Sequence, residues 1–215
     1  MFGRRRRTAA ADEGEQPVED RADGPDGGAP PSGPYDAADA PDDGRARLDL
    51  GSVRLPVPEG AQLQVEVDKT GPVRAVHLRT PAGQLTVTAF AAPRSGGLWR
   101  EVATELTARL RTEGARVTRS EGEWGQEVEA VQPGGTVLRF LAVDGPRWML
   151  RGVAVGTADA APALAALLRD VVRGTVVVRG AEALPVRSPL ALQLPAPLAE
   201  QLKEAAARAR AAGSG

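Results

Sequence analysis

Between residues 62 and 91 the chain alternates apolar and polar residues in steps of two. Leu63, Val65 and Val67 alternate with Gln62, Gln64 and Glu66. A strand turns successive side chains to opposite faces, so this segment predicts a half-buried strand. Val73 to Thr80 predicts a second and Gln84 to Ala91 a third, with turns at Lys69-Thr70-Gly71-Pro72 and Pro81-Ala82-Gly83. Parallel neighbours need a crossover of a dozen or more residues, so these short connections predict an antiparallel meander.

The period then changes. Leu98, Val102, Leu106 and Leu110 recur every four residues, with Trp99 and Ala103 widening the stripe and Gly114 after it. This predicts an amphipathic helix over 98–113 that ends on a glycine. Strands resume at 115–120, 126–131, 136–143 and 147–155. A second helix follows over 159–172, where Pro162 is tolerable only in the first turn. Thr175 to Arg179 predicts an apolar strand and Arg187 to Leu194 a weaker extended piece. Residues 197–211 predict an Ala-rich helix carrying Lys203, Arg208 and Arg210. Runs of strands between single helices predict an α+β fold, an antiparallel sheet with the helices packed mainly on one face.

The first 44 residues read differently. From Thr8 to Gly44 the only large apolar residues are Val18 and Tyr35. Such a segment cannot offset the roughly 1–2 kcal/mol per residue that ordering a backbone costs. It is expected to be a disordered leader. The chain therefore divides into a leader (1–44), a globular domain (45–195) and a C-terminal helix and tail (196–215). The leader holds five Arg and eleven Asp or Glu, and residues 45–215 hold 22 basic and 17 acidic residues. The formal net charge of -1 thus conceals an acidic leader on a mildly basic body. Arg4–Arg7 form a short basic start, and the acids that follow oppose its use as a nucleic-acid or lipid tether.

Exclusions bound the chemistry. The chain has no Cys and one His, which removes disulfides and a cysteine nucleophile and disfavours a zinc or iron–sulfur site. No Gly-x-Gly-x-x-Gly, phosphate-loop or Gly-x-Ser-x-Gly pattern is present. No cofactor or metal site is expected, nor any membrane span. His77 lies on a strand face with Ala75 and Arg79, and reads as an ordinary exposed strand histidine. Aromatic residues make up 3% of the chain, which disfavours base stacking and, with the acidic leader, nucleic-acid binding.

Two constellations could carry function. Glu127 and Glu129 share one strand face, and paired carboxylates can bind a cation or divide acid–base roles. The string Asp144-Gly145-Pro146-Arg147-Trp148-Met149-Leu150-Arg151-Gly152 is the most distinctive in the chain. If it is extended, Arg147, Met149 and Arg151 share a face and Trp148 and Leu150 the other. Two guanidiniums four residues apart on one strand face could take a carboxylate or phosphate, or pair with Glu127 and Glu129. Arg147, Trp148, Arg151, Glu127 and Glu129 are therefore the candidate interaction or anion site. Trp99, Trp124 and Trp148 read as core anchors or as one hydrophobic surface.

That string resembles the family called domain of unknown function 3710. So do Trp99-Arg100-Glu101-Val102-Ala103, Glu123-Trp124-Gly125-Gln126-Glu127, Val177-Val178-Arg179-Gly180 and Leu190-x-Leu-x-Leu-Pro195. The resemblance spans roughly residues 45–200. It implies an uncharacterised cytoplasmic protein of high-GC Gram-positive bacteria and brings no catalytic residue to transfer. The function expected is a non-enzymatic interaction or regulatory module with a protein partner. The alternatives are an enzyme or small-anion binder using the Arg pair with the Glu residues, and weak nucleic-acid binding through Arg4–Arg7.

Overall fold

The computed structural model describes residues 33–68, 72–201, 204 and 208. Most of the leader with Arg4–Arg7, the turn residues Lys69, Thr70 and Gly71, and Lys203 and Arg210 lie outside them. Among the described residues no helix is long and apolar enough to cross a membrane.

Seven antiparallel strands form the main sheet. They are β4 (Gln62–Val67), β5 (Val73–Thr80), β6 (Gly83–Ala91), β7 (Arg116–Gly122), β8 (Gly125–Val131), β9 (Val137–Gly145) and β10 (Trp148–Gly156), ordered β4-β5-β6-β10-β9-β8-β7. Helix α1 (Leu98–Thr112) connects β6 to β7, and α2 (Ala161–Arg173) follows β10. Pro162 sits in the first turn of α2, and Gly114 takes the left-handed conformation beyond α1, φ 85°. A smaller sheet, ordered β1-β11-β3-β2, joins β1 (Tyr35–Asp36), β2 (Leu48–Asp49), β3 (Val53–Leu55) and β11 (Val176–Val177). Residues 196–201 are helical. The architecture is α+β and mainly antiparallel.

The two internal helices do not share a face, which corrects the expectation of one covered side. In β10, Trp148, Leu150 and Ala154 join the core built with Leu164, Leu168 and Val172 of α2. Met149, between them, joins a second core with Leu98, Ala103, Leu106 and Leu110 of α1. β3 adds Val53 and Leu55, and the turn before it Leu50, to the α2 side. The reason lies in β9 and β10, which bury Phe140-Leu141-Ala142 and Trp148-Met149-Leu150 without alternation. Unbroken apolar runs belong to strands covered on both faces.

Gly152 lets α2 approach β10. A Cβ there would lie 2.9 Å from Leu168 Cδ1 and 3.0 Å from Val172 Cγ2. Gly152→Val should therefore destabilise the protein by about 1–3 kcal/mol through overpacking. A urea midpoint equal to wild type would show that α2 is not seated on this strand.

Two connecting segments are built into the body. β5 and β6 pair only over His77–Thr80 and Gly83–Thr86. Beyond that, the weak extended piece at 187–194 bonds to β6, with Leu190 N–H donating to Ala89 O and Ala91 N–H to Ser188 O. Residues 33–43, grouped with the leader by composition, run along the body as a strap. Tyr35 N–H donates to Thr175 O at 2.9 Å, and Trp124 Nε1 donates to Gly33 O at 3.1 Å. Composition counts apolar area and cannot register a segment held by hydrogen bonds from tryptophans far along the chain.

Candidate functional site

The distinctive string turns out to be a structural hub. β9 and β10 pair up to Gly145 and Trp148, which leaves Pro146 and Arg147 as a two-residue turn with Arg147 at φ 62°. A Cβ on Gly145 would lie 2.2 Å from the Trp148 ring, so glycine makes room for that indole. Trp148 is 2% exposed and its Nε1 donates to Asp36 Oδ2 at 2.9 Å. It anchors the strap and offers no surface. Asp144 accepts from Trp99 N–H at 3.2 Å, serving an orphan donor at the start of α1. Arg147 Nη2 donates to Gly180 O, and Arg147 O accepts from Arg179 Nε and Ala92 N–H.

The anticipated Arg147/Arg151 pair is not formed. Arg147 belongs to the turn, where its positive φ takes it out of the strand's alternation, while Arg151 lies within β10 and faces α1. Glu127 and Glu129 lie on the other side of the sheet, with α2. The four groups do not converge, so the alternative of a small-anion site built from the Arg pair and the two glutamates has no shared pocket among the described residues.

The two glutamates serve a different network. Glu129 stands opposite Arg139 in the β8–β9 register, and Arg169 reaches down from α2. Glu127, 2% exposed, accepts from Arg169 Nε at 2.9 Å, Arg169 Nη2 at 2.7 Å and Arg139 Nη1 at 2.9 Å. Arg139 Nη2 also donates to Glu129. Burial by itself raises the Glu127 carboxyl, but the hydrogen bonds from Arg169 and Arg139 prevail and hold it below its ordinary value. These charges are mutually paired, although Arg139 Nε, like that of Arg151, is buried without a hydrogen-bond partner. His77 shares Nδ1 with Thr86 Oγ1 at 2.7 Å, and its Nε2 lies 3.5 Å from Glu66 Oε2.

Arg151 is different. Its guanidinium carbon lies 4.8 Å from the Phe90 ring centroid, within cation–π range. Its Nε is buried without a hydrogen-bond partner, and Arg151 forms no ion pair among the described residues. Burial, and then the nearby charge of Arg109, push its pKa down. It opens onto a cleft of about 230 Å³ between α1 and β10, lined by Val102, Glu105, Leu106, Arg109 and Arg151. The one carboxylate there is already engaged, because Arg187 binds both Glu105 oxygens, at 2.8 and 2.9 Å. Arg109 lies 3.6 Å from Glu113. A half-buried cation without a counter-charge costs folding energy, and the group that would relieve it is an oxyanion.

A larger cleft, about 450 Å³, lies at the start of α1 beside Trp99, Trp124 and Arg119. Three of its lining groups are already engaged: Arg119 donates to Thr107 Oγ1, Trp99 Nε1 to Gln126 O, and Asp144 caps α1. The α1/β10 cleft is therefore the candidate site. Of the residues expected there, it retains Arg151 alone. Phe90 and Arg109 complete it through the sheet register and the helix face. The Glu101, Glu105, Arg109, Glu113 row, four residues apart along α1, was a readable signal; Arg187, remote in the chain, left none.

A family model described as "Protein of unknown function (DUF3710)" matches residues 33–201. No curated protein matches the chain.

Proposed function

We propose that this chain, which belongs to the DUF3710 family of proteins of unknown function, is a non-enzymatic interaction module that grips an oxyanion of its partner in the α1/β10 cleft. The observation that supports this reading is the unpaired, half-buried Arg151 guanidinium on Phe90. Cleft size argues for a module over a metabolite binder. A volume near 230 Å³ falls below the roughly 300–1,000 Å³ of pockets that enclose a whole small molecule. It suits one carboxylate or phosphate group presented by a larger partner, with Val102 and Leu106 as apolar rim. We place the protein in the cytoplasm of a high-GC Gram-positive bacterium; the support is the family resemblance and a composition of 25 Arg, two Lys and no Ile.

The test is a backbone-amide NMR titration of the full chain with inorganic phosphate, acetate and a hexaglutamate peptide. Saturable shifts at Val102, Leu106, Arg109 and Arg151 are expected with all three, tightest with the peptide. They should weaken as salt screens the charges. An absence of saturable shifts along α1 and β10 would overturn the reading.

A further inference from the structure

The cleft contains its own competitor. Glu105 lines it together with Arg151 and Arg109. On a helix, a Glu four residues before an Arg is a favourable pair, so Glu105 and Arg109 are natural partners. Glu105 nevertheless turns both oxygens away, to Arg187. Arg187 also donates to Glu101 Oε2 at 3.1 Å, one turn earlier on α1.

Arg187 holds this position at a cost. It is a non-glycine residue at φ 72°, in the left-handed region. The loop around it is fixed to β6, with Arg187 N–H donating to Ala91 O and Ala91 N–H to Ser188 O. The ion pairs are exposed, 43% for Arg187 and 62% for Glu105. Exposed pairs of this kind add little to folding, so stability alone does not account for a strained residue here. We infer that Arg187 is a positioning residue that keeps the cleft open by holding Glu105 off Arg151.

This inference rests on the oxyanion reading of the cleft and adds a regulation to it. Without Arg187, the Glu105 carboxylate becomes a tethered anion beside Arg109 and Arg151 and competes with any ligand. Anything that draws Arg187 off α1, such as an acidic surface contacting the 185–190 loop, would close the cleft in the same way.

The experiment compares phosphate binding by wild type, Arg187→Ala, Glu105→Gln and the double variant, by NMR titration on the full chain. Arg187→Ala should weaken phosphate at least about tenfold, because most molecules then hold Glu105 in the site. Glu105→Gln alone should bind phosphate at least as tightly as wild type, since it takes a carboxylate out of the cleft wall. The double variant should recover wild-type affinity, since the competitor is gone. A purely structural role for Arg187 would leave the double variant as weak as the single one. Equal binding by Arg187→Ala and wild type, or no recovery in a folded double variant, would overturn the inference while the cleft reading stands. A wild type that binds no phosphate would remove both.

Discussion

Arg151→Met should stabilise the protein and abolish its anion binding in one step. The unfolding free energy is expected to rise by about 1–2 kcal/mol. Methionine keeps an unbranched apolar side chain in the cleft that Val102 and Leu106 line, and it removes a charge that no carboxylate among the described residues pairs. The lost cation–π contact costs roughly 0.5–2 kcal/mol. Against it stands the relief of a half-buried cation without a counter-charge, whose buried Nε–H has no hydrogen-bond partner, about 1–3 kcal/mol. The difference favours the variant. The expected loss of phosphate shifts comes from the same atoms. Stability gained together with function lost is the signature of a group retained for binding. If Arg151 served the fold, the sign would reverse, and the variant would melt below wild type in urea or on heating.

Glu127→Ala should have the opposite and larger effect, a loss of about 3–5 kcal/mol. Removing one partner from a buried ionic cluster leaves the others uncompensated. Here Arg169 would lose its carboxylate, and Arg139 would keep only Glu129. A domain holds about 5–15 kcal/mol in total, so the variant should lie close to unfolding at room temperature. The pH dependence follows from the lowered Glu127 pKa. The folded value lies below the unfolded value, near 4.5. The contribution is therefore complete above about pH 4.5 and is lost as pH falls through the folded value. Acid titration of stability should show this loss in wild type and a shallower one in Glu127→Ala. Parallel acid curves for the two proteins would contradict the assignment.

Local patterns reached far into this fold. The step-of-two segments at 62–67 and 73–80 became β4 and β5, and the stripe from Leu98 to Leu110 became α1, because period reports directly on which side is covered. The number of covered faces was harder to read. Phe140-Leu141-Ala142 and Trp148-Met149-Leu150 carried that information as a lack of alternation, yet the strand count alone suggested one face. The site was least legible. Arg147 and Arg151 share parity in an extended chain, but the turn at Pro146-Arg147 breaks the alternation one residue before β10 begins. Glu127 and Glu129 were correctly placed on one face, and Arg169 claims Glu127 from a helix 42 residues further on. The Arg187 contact with Glu105 spans 82 residues and depends on how the 187–194 segment enters between β5 and β6. No local pattern encodes such a contact.

The central claim is that Arg151 is held without a protein counter-charge so that a partner's oxyanion can supply one. The most direct measurement is the Nε–H resonance of Arg151, followed by NMR as inorganic phosphate is added to the full chain. A progressive, saturating shift of that resonance is predicted, accompanied by Arg109 and absent at Arg139 and Arg169, whose charges are already paired. An Arg151 resonance that stays fixed through the titration would contradict the account.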